Sequence, residues 1–158
     1  MKKYLVLFAL LLLFIPSLAL AQPTITSDVR SFNPLTGVYE LQGHVFVQFP
    51  AHDKTLTITG DTTHVHLYQM EVHGQGNIKL LYDQLAFACD QVDVIHKERT
   101  AYVKGSLTFT HHKTTITADS GTFNWKTKLA TFTGNLSLNG QKIQGPLTYN
   151  VLTQELAP

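Results

Sequence analysis

Glycine returns in this chain at a fixed interval. Gly43, Gly76, Gly105 and Gly134 each sit inside a run of alternating apolar and polar residues. Asp61, Asp90 and Asp119 precede the last three of those glycines by the same interval every time. The step from Gly76 to Gly105 equals the step from Gly105 to Gly134, and the first step, from Gly43 to Gly76, is stretched by four positions. Self-similarity at a period of this length describes supersecondary units that stack, because one such unit cannot bury its apolar face alone.

The runs themselves alternate with period two almost from end to end. Tyr39, Leu41, Gly43, Val45, Val47 and Phe49 share one face, with Glu40, Gln42, His44 and Gln48 on the other. The same pattern carries Ala101, Val103, Gly105, Leu107 and Phe109, then Ala130, Phe132, Gly134, Leu136 and Leu138. That alternation marks half-buried antiparallel strands. No stretch of a dozen residues has the 3.6 period, so the chain is expected to be all-β with almost no helix. Turn signals separate the runs at 33–37, 50–53, 111–113 and Asn139-Gly140. The recurrent glycines are read as a column of missing side chains on the apolar face, and the aspartates as Asx-type contacts to the local backbone.

Positions 1–21 read as a cleavable signal peptide, the alternative being an uncleaved membrane anchor, for which the apolar run is slightly short and is broken by Pro16. Lys2 and Lys3 form a basic start, 4–18 is almost wholly apolar, and Ala19-Leu20-Ala21 is a small-x-small cleavage site. Residues 22–158 are then one exported domain. Without Lys2 and Lys3, 10 basic residues face 11 acidic ones, and no basic stripe suits nucleic acid. The single cysteine, Cys89, allows no internal disulfide, so packing and strand pairing must hold the domain, with Cys89 as a small buried hydrophobe.

Chemistry-bearing constellations are few. His64 and His66 share a strand face and His111-His112 falls in a turn, but a tight zinc site needs three or four convergent ligands. No metal, cofactor or catalytic group is expected. No nucleophile elbow, phosphate loop or metalloprotease helix is present, so the chain does not read as an enzyme.

Tyr39 to Val45 (YELQGHV), Ala101 to Leu107 (AYVKGSL) and Ala130 to Leu136 (ATFTGNL) resemble the OstA-like repeat of the LptA/OstA family. So do Leu56 to Asp61 (LTITGD) and Thr115 to Asp119 (TITAD). The resemblance covers residues 24–150. It implies an open, twisted β-jellyroll of repeated antiparallel strands with an apolar groove, in a periplasmic protein that carries the lipid A moiety of lipopolysaccharide to the outer membrane. It also implies head-to-tail self-association, or edge-strand pairing with LptC-like and LptD-like envelope proteins. Two features depart from the repeat: the stretched first unit, where 50–54 should form a longer loop, and the tail after Tyr149, which does not read as a strand.

The expected groove-lining residues are Val45, Val47, Ile58, Val72, Ile78, Phe87, Val103, Leu107, Phe109, Ile116, Phe123, Phe132, Leu136 and Leu138. Small residues on the same face leave that interior underfilled. An acyl chain gains there roughly 0.8 kcal/mol per buried methylene. The alternatives are a structural repeat module that assembles by its edges without lipid, and a sandwich that binds glycans through Trp125, Tyr68, Tyr82 and Tyr102.

Overall fold

The computed structural model describes residues 23–157; the expected signal peptide lies outside them. Thirteen strands and no helix are found among the described residues. They are β1 (Thr24–Thr26), β2 (Val29–Asn33), β3 (Val38–Ala51), β4 (Lys54–His66), β5 (Glu71–Tyr82), β6 (Leu85–Ile95), β7 (Thr100–His111) and β8 (Thr114–Asn124). β9 (Leu129–Thr133), β10 (Ser137–Leu138), β11 (Gln141–Lys142), β12 (Leu147–Asn150) and β13 (Glu155–Ala157) complete the series. All belong to one antiparallel sheet in which β3 to β9 follow one another in chain order, with β12 and β13 beyond β9.

Each of β3 to β8 is a bent strand. The pairing of β3 with β4 breaks between Gln42 and Val45, and β5–β6 and β7–β8 break likewise after Gln75 and Lys104. At those breaks, and again between β9 and β10, the backbone takes two successive left-handed residues: Gly43-His44, Gly76-Asn77, Gly105-Ser106 and Gly134-Asn135. An extra residue on one strand bends it sharply. Glycine suits the first of each pair, where φ lies between 72° and 80°. The repeat is thus a repeat of corners. One arm pairs residues 38–42 with 62–66 and their successors, and the other pairs 45–51 with 54–60 and theirs. At the chain ends the sheet divides between the arms. β2 and β1 take the two halves of β3, and β9 and β10 take the two halves of β8.

The stretched first unit is not a loop. Its four extra residues lengthen the β3–β4 hairpin by two on each strand relative to β5–β6, and the turn stays at His52-Asp53. The tail after Tyr149 also departs from expectation: β13 pairs with β12, Leu156 opposite Tyr149.

The arms fold over a common core. Phe109, Phe123 and Phe132 are wholly buried, Trp125, Phe87 and Tyr149 nearly so. Contacts between the arms are staggered. Tyr82 and Phe87 of one arm lie against Phe123 of the other at 5.2 and 5.8 Å between ring centres, and Phe109 against Phe132 at 5.1 Å. A strand therefore packs on one two or three strands further along the chain, as the twist of a sheet folded on itself requires. Cys89 is buried and donates to the Gln91 carbonyl, and burial pushes its thiol up to about 11.

Candidate functional site: an apolar interior with corners and a mouth

Alternation sends one side chain of every two into the space between the arms. Val45, Val47, Ile58, Val72, Ile78, Phe87, Val103, Leu107, Phe109, Ile116, Phe123, Phe132 and Leu136 are all buried there; Leu138 is half-buried at the β10 end. The expected groove residues thus share one interior. That interior is filled by aromatic rings, and the recurrent glycines do not hollow it.

Gly43, Gly76, Gly105 and Gly134 stand at the corners. A Cβ on any of them would collide with the carboxylate of Asp28, Asp61, Asp90 or Asp119 respectively. The aspartates act across strands rather than on their local backbone. Asn77 donates to Asp61 at 2.7 Å, Ser106 to Asp90 at 3.0 Å, and Asn135 to both oxygens of Asp119 at 3.1 and 2.9 Å. At the first corner His44 meets Asp28 at 2.6 Å through Nδ1. Asp28 precedes Gly43 by the same interval that separates the other three pairs, so this fourth corner was legible in the numbering. The Gly, Cys or Ala that stands before each of the other three aspartates is replaced there by Ser27. The bond to Asp28 holds the His44 imidazole above its ordinary pKa, and the Asp28 and Asp61 charges add to it.

Opposite the corners the arms end in two rims of turns, and the space between the rims is a mouth. His52, Asp83 and His112 occupy the two-residue turns of one rim, each with positive φ. Met70, Arg99 and Lys128 close the longer turns of the other rim, also with positive φ and spaced one full period apart. Lys128 spans the mouth. Its ammonium donates to Asp53 at 2.9 Å and to the Tyr82 hydroxyl, which itself donates to Asp53 at 3.0 Å. The ammonium also lies 4.6 Å from the centre of the Tyr82 ring. The bond from Lys128 holds the Asp53 carboxyl down at about 2, with Tyr82 helping. Burial works against the Lys128 ammonium, but its bonds to Tyr82 and Asp53 outweigh that and leave its pKa raised.

A second bridge joins His111 to the Tyr149 hydroxyl at 2.8 Å. His111 is not in a turn: it ends β7 and is buried, which lowers its pKa. Trp125 and Tyr82 are also buried, so they form no exposed sugar platform with Tyr68 and Tyr102. His73 rather than His66 holds the carboxylate contact beside His64, at 2.7 Å from Asp93. Among the described residues no group of three or more His, Cys, Asp or Glu is placed to hold a metal ion. The pairing of Lys128 with Asp53 escaped the sequence because the two lie 75 residues apart, and only the stagger of the arms brings them together; Tyr82, expected as an exposed aromatic, is its third member.

Where β9 and β10 part, a cleft of about 960 Å³ is lined by Gly134, Leu136, Ile143 and Pro146, with Lys142 on its edge. Apolar residues also stand exposed along both outer edges of the first arm: Val29 and Phe32 on β2, Leu152 and Leu156 about β13.

No protein-family model matches the chain, and no curated protein sequence matches it. Solved structures do. The crystal structure of LptH from Pseudomonas aeruginosa, the LptA-homologous periplasmic component of the lipopolysaccharide transport device, superposes with a TM-score of 0.58 at 11% identity. The match covers 65% of this chain and 76% of LptH. The chain therefore has the LptA-like fold, an open all-β jellyroll.

Proposed function

We propose that this protein is a periplasmic, non-enzymatic carrier of lipopolysaccharide that takes lipid A acyl chains between its arms on the way to the outer membrane. The observation that carries this reading is the single apolar interior running between the arms of a bent, LptA-like sheet. Acyl chains would lie among Val45, Val47, Ile58, Val72, Ile78, Phe87, Val103, Leu107, Phe109, Ile116, Phe123, Phe132, Leu136 and Leu138, with sugar and phosphate outside. Burying ~10 methylenes there supplies about 8 kcal/mol before ordering costs. The exposed edges of β2 and β13 suit pairing with another copy or with LptC-like and LptD-like strands by β-augmentation.

The filled core favours a second reading, an adaptor that assembles through its edges and holds no lipid. Mass spectrometry of lipid extracted from the purified protein, with added lipopolysaccharide as displacer, separates the two. Acylated glycolipid held near stoichiometrically and displaced by lipopolysaccharide supports the carrier. A protein free of lipid that also refuses added lipopolysaccharide leaves the adaptor.

A further inference from the structure

The carrier reading needs a way into an interior whose lining is almost entirely without exposure. The corners cannot part, because six strands run through them unbroken and the aspartate contacts brace them. The mouth is different. Among the described residues no backbone hydrogen bond joins the two rims; side chains alone cross between them.

Lys128 breaks the repeat at that seam. Met70 and Arg99 occupy the same turn-closing position in the two preceding units and are exposed. Lys128 is 9% exposed and turned across the mouth. Its partner comes from the other departure in the repeat. The four extra residues of the first unit carry the His52-Asp53 turn beyond the other turns of its rim, and this overhang places Asp53 against Lys128. The two members of the pair differ in access: the Lys128 side chain is 11% exposed and the Asp53 side chain 53%. Asp53 is therefore the member that solvent, or another anion, can replace. A phosphate monoester offers the same charge-assisted acceptor geometry as a carboxylate.

We propose that the mouth is the gate through which acyl chains pass, that Lys128 is its latch, and that Lys128 exchanges Asp53 for a phosphate of the lipid headgroup when the gate opens. This rests on the carrier reading above. The chain holds its own reporter: Trp125 is the one tryptophan, lies in the same turn as Lys128 and is almost fully buried.

The test uses dodecyl phosphate and neutral dodecanol as probes, with uptake followed by Trp125 emission and its quenching by acrylamide. Wild type is compared with Asp53→Asn and Lys128→Met, all checked for folding by circular dichroism. Wild type is expected to prefer dodecyl phosphate, Asp53→Asn to take up both probes several-fold faster, and Lys128→Met to take up both without preference. Should Lys128→Met fail to fold, Lys128→Gly removes the ammonium and suits the left-handed backbone at that position. Uptake with unchanged rate and preference in the variants overturns the latch and leaves the carrier standing. Failure of all the folded proteins to take up either probe overturns the carrier as well.

Discussion

His44 reaches Asp28 at 2.6 Å, in the place where the other three corners hold Asn77, Ser106 and Asn135. One corner in four therefore pairs its carboxylate with a titratable base, and it is the one that fixes β1 and β2 to β3. Its imidazole pKa is raised above the ordinary 6.5, so the protonated form favours the folded corner. The contribution is complete below pH 6.5 and is lost as pH rises through the raised value. Amide protection in β1 and β2 should fall between pH 6 and pH 8.5 relative to the other strands. His44→Asn, which copies the second and fourth corners, should remove that dependence. Equal protection factors at both pH values in wild type would refute the assignment.

The corners demand glycine for two reasons at once. Gly105 has φ +76, and a Cβ there would strike the Asp90 carboxylate. Gly105→Ala should cost about 1–3 kcal/mol, read from the midpoint of urea unfolding. Gly140→Ala, with positive φ but nothing near a built Cβ, should cost less. Equal losses would mean that the Asp90 contact is irrelevant.

Thr63 is 1% exposed and its hydroxyl is without a hydrogen-bond partner. Val keeps its shape and removes the orphaned oxygen. Thr63→Val should stabilise the protein by roughly 1 kcal/mol. A destabilised variant would point to a bound water at that hydroxyl.

Two charged substitutions separate core from lipid path. Phe87 packs on Phe109 and Phe123 at 4.9 and 5.8 Å. Phe87→Glu should unfold the domain, since truncating such a ring already costs about 3–5 kcal/mol. Leu138 is half-buried on β10, beside the Asn139-Gly140 turn, and Leu138→Glu should stay folded by circular dichroism yet lose lipid uptake. A folded Leu138→Glu protein with undiminished uptake would remove β10 from the path.

The Asp53 carboxyl, held at about 2 against an ordinary 3.8, stabilises the folded state fully above pH 3.8. That support is lost as pH falls through about 2. Trp125 should become accessible to acrylamide between pH 4 and pH 2 in wild type. Asp53→Asn should show the higher quenching already at pH 5, and superimposable curves for the two proteins would count against the clasp.

The strands and most of the buried positions were legible in the alternation, because a period of two assigns a face to each residue once a strand is given. Corner geometry was legible only as a spacing. The interval from Asp61 to Gly76 says that two residues meet, but not that the glycine takes a left-handed turn while the aspartate bonds to Asn77. β13 was not legible because Glu155 and Leu156 follow a four-residue turn without glycine or proline, closed by Gln154 at φ 58°. The clasp was least legible of all. Lys128 and Asp53 meet through the offset between the arms, a property of sheet twist summed over several strands rather than of any local pattern.

The offset between the arms also bears on how the molecule comes apart. In a solenoid whose units touch only their neighbours, unfolding can begin at one end and peel inward. Here Phe123 of one unit rests on Tyr82 and Phe87 of earlier ones, and Lys128 reaches back to the first hairpin. No unit owns a complete set of contacts, so none can leave without breaking those of units well upstream. A chain written as a succession of near-copies is bound to melt as one body.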